Sequence, residues 1–176
     1  QLDATDANKI LTIEFDGVMA NSDVWINGKH LGKRPYGYIS FTYDLTPYLN
    51  FGKEKTNVIA VRADNSVQPA SRYYTGAGIY RHVRLVAVNP THFKHWGTQI
   101  TTPNATAQKA VVSVKTEIEN KGAAGTYKLQ IDIVDSKGKI VKSSESQENI
   151  AANTTSNLVK EMEVQNPKLW DIEAPN

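Results

Sequence analysis

Apolar and polar residues alternate with a period close to two along nearly the whole chain, and no stretch holds helical spacing with caps long enough for a helix. Lys9–Phe15 reads KILTIEF. Leu11, Ile13 and Phe15 fall on one face and Ile10, Thr12 and Glu14 on the other, the pattern of a half-buried strand. Asp23–Ile26 and Lys29–Gly32 form a predicted hairpin about Asn27-Gly28, because a type I′ turn needs positive φ at both central positions and these two residues tolerate it. Tyr38–Leu45, Thr56–Ala63 and Tyr80–Val88 supply further strands rich in β-branched and aromatic residues, with TPYL as a single 3₁₀ turn and Asn89-Pro90 as punctuation. The second half predicts strands at Gly97–Thr102, Lys109–Glu119, Thr126–Val134, Lys139–Glu145 and Thr155–Val164, with Gly-, Asn- and Asp-rich turns between them. Short strands at this spacing imply an all-β fold built of sandwiches.

Composition then divides the chain. At 176 residues it exceeds the commonest domain size of about 100–150 residues. Eleven of its fifteen aromatic residues lie in 1–90, whereas 91–176 is richer in Lys, Ser, Thr and Ala. Two domains are therefore expected, 1–90 and 91–176. Twenty basic and eighteen acidic residues are dispersed without a like-charge block, which argues against a dedicated nucleic-acid or membrane-surface binder. The absence of cysteine excludes disulfides and thiolate metal sites. No apolar run approaches the length of a membrane-spanning helix.

The segment Asp64–Leu85, DNSVQPASRYYTGAGIYRHVRL, carries more chemistry than a chain reversal needs. Asp64 and Asn65 end a strand at a sandwich rim, where an acceptor and an amide can address a ligand with several hydrogen bonds at once; the competing reading is an Asx turn. Arg72 can form a bidentate bond with a carboxylate or stack on an aromatic ring, and Gly76 and Gly78 permit a tight return. Tyr74, Ile79 and Tyr80 are expected to pack internally or between domains, and Trp25, Trp96 and Trp170 to lie in the core. Glu117 and Glu119 are expected on a solvent face, and no pair of acids stands in a setting that suggests acid/base work, so no catalytic residue is assigned. His92 and His95 on an extended linker lack a third ligand, so no metal site is assigned either. Asn104-Ala105-Thr106 and Asn153-Thr154-Thr155 fit glycosylation sequons, a pattern common by chance.

Taken in order, FDGVMANSDVWINGKHLGKRPYGYISFTYDLTPYL, VIAVRADNS, SRYYTGAGIYRHVRL and PKLWDIEAPN resemble the front part of family 2 glycoside hydrolases, the bacterial β-galactosidases and β-glucuronidases. The resemblance implies a jelly-roll, galactose-binding-like sandwich followed by an immunoglobulin-like sandwich. It also implies strands missing at both ends of the chain and a catalytic (β/α)₈ barrel elsewhere in the same parent polypeptide. It makes Asp64, then Asn65, the first candidates for holding the non-reducing sugar, directly or through a bound cation. Arg72 and Tyr73 are further substrate-binding candidates, on the segment that frames the pocket in the family, Tyr73 standing where the family often has Trp. Tyr36 and Tyr38 resemble a loop over the substrate side of the first domain, and Arg34 offers a guanidinium to an acidic glycan. No cofactor belongs to this chain itself.

The expected role is the non-catalytic front of a retaining β-glycosidase, a β-galactosidase first, with a carbohydrate substrate, the barrel as partner, and neither nucleic acid nor membrane. A self-standing carbohydrate-binding or adhesion module of two sandwiches is the alternative. The compartment stays undetermined, with a periplasmic or secreted location favoured over the cytoplasm.

Overall fold

The structure, a computed structural model, describes residues 1–66 and 76–173. The chain is all-β, two β-sandwiches in tandem, and divides into compact units at Gln1–Asn89 and Pro90–Asn176.

The first unit contains β1 (Ile10–Phe15), β2 (Val18–Met19), β3 (Ser22–Ile26), β4 (Lys29–Arg34), β5 (Phe41–Asp44), β6 (Ile59–Arg62), β7 (Gly78–Ile79) and β8 (Val83–Val88). Its antiparallel sheets run β5-β1-β8 and β4-β3-β6, and β2 pairs with β7 in a short ribbon. Alternation decides what is inside: Ile13 and Phe15 of β1 and Val24 and Ile26 of β3 are buried with Val18, Phe41 and Leu45. The Phe15 and Phe41 rings stack with centroids 5.0 Å apart. Leu85 and Val83 share a face with Ile13 and Phe15, their β1 partners, yet Leu85 is 52% exposed because β8 is an edge strand.

Asn27 and Gly28 take φ of 50° and 81°, as a type I′ turn demands. The Asn27 side chain does more than tolerate that turn. Its amide donates to the Tyr48 carbonyl at 2.7 Å and to Asn57 Oδ1 at 2.9 Å, and its Oδ1 accepts from the Val58 amide at 2.8 Å. The hairpin tip is thus stitched to the chain entering β6.

The second unit contains β9 (Thr91–Ala105), β10 (Lys109–Asn120), β11 (Gly125–Val134), β12 (Ile140–Ile150) and β13 (Thr154–Gln165), in sheets β13-β10-β9 and β11-β12. Val114, Thr116, Ile118 and Asn120 of β10 point inward. Glu117 and Glu119 consequently face outward, Glu117 bound to Lys94 at 2.6 Å and Glu119 near His92 at 3.5 Å. A cleft of about 480 Å³ opens between the sheets, lined by residues including Phe93, Ile100, Val114 and Leu129.

Four placements differ from the sequence expectations. His92 and His95 lie not on a linker but in β9, which bulges: Phe93 and Thr98 pair with Ile118 and Thr116, leaving Lys94 to Gly97 all opposite Glu117. Trp96 rides that bulge at φ 53° and is 75% exposed rather than core, its ring 4.5 Å from that of His95. Trp25 faces away from the core because Val24 and Ile26 hold the inner positions, and it packs beside His30 at 5.0 Å; Trp170 is also exposed.

Candidate functional site

Among the described residues, Asp64 and the loop that carries Tyr36 and Tyr38 are both tied to the corner between β2 and β3. That corner, Ala20-Asn21, meets two chain segments at once. On one side the Ala20 carbonyl accepts from the Asp64 amide at 2.9 Å and the Asn21 side-chain amide donates to the Asp64 carbonyl at 3.1 Å. On the other the Asn21 backbone amide donates to the Pro35 carbonyl at 3.1 Å, while the buried Ser22 hydroxyl donates to the Arg34 carbonyl at 3.2 Å. The end of β6 and the loop after β4 are therefore held to one point.

Asp64 sits just past β6, its side chain 32% exposed. Oδ1 accepts from the Ser66 amide at 3.1 Å and the Ser66 hydroxyl at 2.6 Å, so the Asx-turn geometry is present. Oδ2 accepts from Arg62 Nη2 at 2.6 Å. The Ser66 hydroxyl and amide, with the Arg62 charge behind them, hold the carboxyl below its usual range, so it is an anion at neutral pH. A carboxylate has about four acceptor positions. Among the described residues Ser66 fills both on Oδ1 and Arg62 one on Oδ2, leaving Oδ2 able to accept one more donor, such as a sugar hydroxyl. Arg62 occupies one acceptor position of Oδ2, and no group of three or more metal-capable side chains gathers among the described residues.

Asn65 directs its amide to the Gly76 carbonyl at 3.3 Å. Arg72, Tyr73 and Tyr74 lie outside the described residues. Tyr36 and Tyr38 are 58% and 46% exposed with rings 5.6 Å apart, edge to face, presenting two hydroxyl-bearing aromatics on the loop that Asn21 and Ser22 anchor. Arg34 instead turns its guanidinium over the Tyr43 ring, 5.9 Å from the centroid.

Sequence reasoning overlooked Asn21, Ser22 and the part played by Tyr80. Expected to pack internally or between domains, Tyr80 is 46% exposed, with its hydroxyl donating to the Gly37 carbonyl at 2.9 Å and its ring lying over Gly17. A Cβ on Gly17 would stand 2.7 Å from the Tyr80 ring, and one on Gly37 2.6 Å from Met19 Sδ. Two glycines thus let the Tyr36–Tyr38 loop settle onto β2 and Tyr80. Ile79 is likewise exposed. The available signal was GVMANS, a short apolar pair followed by Asn at a strand entrance.

The family is shown by both halves. Residues 1–90 match the sugar binding domain of glycosyl hydrolases family 2, and residues 91–176 match a second model described as glycosyl hydrolases family 2. The chain belongs to this family. It is 43% identical over 99% of its length to the beta-galactosidase BoGH2A of Bacteroides ovatus, and 47% identical over 96% of its length to a putative beta-glucuronidase of Formosa agariphila. It spans 20% and 15% of those relatives. The crystal structure of a glycosyl hydrolase family 2 member from Bacteroides cellulosilyticus superposes with a TM-score of 0.91 at 38% identity, over 98% of this chain and 24% of that one.

Proposed function

We propose that this chain is the non-catalytic front portion of a family 2 β-glycosidase that hydrolyses terminal non-reducing β-galactosides with retention. The observation that carries the reading is the match of both halves to one hydrolase family, in relatives about five times as long. That length difference favours a larger enzyme over a self-standing binding module.

In this reading the acid/base and the nucleophile, two carboxyl groups ~5–5.5 Å apart, come from a (β/α)₈ barrel in the same polypeptide. The present segment supplies binding. Asp64, held charged by Ser66 and Arg62, offers Oδ2 to a hydroxyl of the non-reducing sugar, and the Tyr36–Tyr38 loop borders the same rim. A bond from a sugar hydroxyl to an ionised acceptor contributes about 1.5–3 kcal/mol. Galactose rather than glucuronate is favoured because Arg34, the guanidinium nearest this loop in sequence, is engaged with Tyr43.

Proton NMR of the full-length polypeptide acting on 4-nitrophenyl β-D-galactopyranoside tests the proposal. The first-formed sugar is expected to be the β-anomer, with 4-nitrophenyl β-D-glucuronide turned over much more slowly. Formation of the α-anomer, or hydrolysis of neither compound, contradicts it.

A further inference from the structure

We infer that Asn21 is a positioning residue that sets the placement of Asp64 toward the sugar, an inference that rests on the proposed binding role of Asp64. Asn21 is not required by the local chain. It occupies the left-handed region at φ 45°, a conformation uncommon for residues with a side chain and least unfavourable for Asn and Gly. Glycine would meet that backbone requirement alone. Asn adds a donor, and the donor is used across 43 positions of sequence, from Nδ2 to the Asp64 carbonyl at 3.1 Å.

The contact lies where it matters for a carboxylate. Asp64 lies two residues beyond Arg62, the last residue of β6, so the β6 ladder no longer fixes its backbone. Two bonds replace them, both from the same corner: the Asp64 amide to the Ala20 carbonyl and the Asn21 side chain to the Asp64 carbonyl. They clamp the Asp64 peptide units on both sides of its Cα. Ser66 and Arg62, by contrast, orient only the carboxylate relative to its own segment. Because the Asn21 backbone amide also holds Pro35, the corner fixes the distance between Asp64 and the start of the Tyr36–Tyr38 loop. Removing the Asn21 donor leaves the Ala20 bond in place, so the segment stays attached but gains freedom about the Asp64 carbonyl. Sub-ångström looseness at a hydrogen-bonding group weakens substrate binding without unfolding the protein.

The test is a double-mutant cycle on the full-length enzyme with 4-nitrophenyl β-D-galactopyranoside. Asn21→Gly keeps the left-handed backbone and deletes only the donor; Asp64→Ala deletes the group being positioned. Asn21→Gly is expected to lower kcat/KM about 5- to 20-fold, chiefly through KM, as expected for loss of a contact made equally in ground and transition states. Its melting temperature should stay close to wild type. In the Asp64→Ala background the same substitution should change kcat/KM less than twofold, because the positioned group is gone. A wild-type KM for Asn21→Gly overturns the inference. So does a full 5- to 20-fold loss added to that of Asp64→Ala, which would mean Asn21 acts through general stability. If Asp64→Ala itself leaves kcat/KM unchanged, the binding role of Asp64 fails and the inference falls with it, a result distinct from the other two.

Discussion

Asn120→Ala should loosen one end of the second sandwich more than any surface substitution in it. Asn120 is fully buried at the end of β10 and makes four hydrogen bonds. Oδ1 accepts from the Thr91 hydroxyl at 2.8 Å and the Gly122 amide at 2.9 Å, while Nδ2 donates to the Ala123 carbonyl at 2.8 Å and the Ala151 carbonyl at 3.0 Å. One side chain thus joins the start of β9, the turn into β11 and the turn after β12. Truncation orphans the Gly122 amide and two carbonyls. The Thr91 hydroxyl keeps Tyr127 Oη at 2.7 Å, and Ala123 and Ala151 are exposed enough for water to reach their carbonyls. At about 0.5 kcal/mol for each of the two carbonyl bonds that water can replace and about 1–3 kcal/mol for the orphaned Gly122 amide, the cost is roughly 2–4 kcal/mol. Hydrogen exchange by mass spectrometry on the full-length protein reads this locally. Peptides spanning 119–126 and 149–154 should exchange roughly 30- to 800-fold faster, while those of β1 and β3 should not change. Unaltered protection at both turns would refute the assignment of Asn120 as the pin.

Gly17→Ala would place a Cβ 2.7 Å from the Tyr80 ring. Tyr80 must then leave the Gly37 carbonyl, so a loss of about 1–3 kcal/mol in stability and a raised KM are expected, and a wild-type melting temperature would contradict it. Stability should also fall on the acid side. Hydrogen bonds from Arg84 to Asp16, Ser66 to Asp64, Lys94 to Glu117, Lys160 to Glu148 and Lys109 to Glu163 hold these carboxyls below their usual range. A depressed carboxyl stabilises the fold above its unfolded pKa of about 4 and loses that contribution as pH falls through the lower folded value. The melting temperature should therefore be nearly flat from about pH 5 to 8 and drop below about pH 4. All of these carboxyls but Glu148, which pairs with Lys160, have an exposed basic partner, so the drop should be modest; a loss confined to the alkaline side would contradict the signs.

Much of the fold was legible because its determinants are local. The Leu11, Ile13, Phe15 alternation and the Asn27-Gly28 turn each follow from neighbouring residues, and both are as the pattern implies. What escaped is what distant partners decide. Trp25 looks like core by composition, but the pleat assigns inner positions to Val24 and Ile26. Trp96 is exposed because a bulge defined by pairing with β10 lifts it off the sheet, and nothing in KHWG announces that pairing. The site divides in the same way. Asp64 could be singled out as an acid at a strand end with a local turn, whereas Asn21 and Tyr80 matter through bonds spanning 43 residues each.

The most direct measurement of the central claim is kcat/KM of Asp64→Asn in the full-length enzyme with 4-nitrophenyl β-D-galactopyranoside. Asn can keep the bond from the Ser66 amide and so preserve the Asx turn, while the ionised acceptor is lost. At 1.5–3 kcal/mol for a charge-assisted bond, kcat/KM should fall about 10- to 150-fold with the melting temperature little changed. An unchanged kcat/KM in a folded variant would show that Asp64 serves only its own turn, and the sugar-binding role assigned to this rim would be wrong.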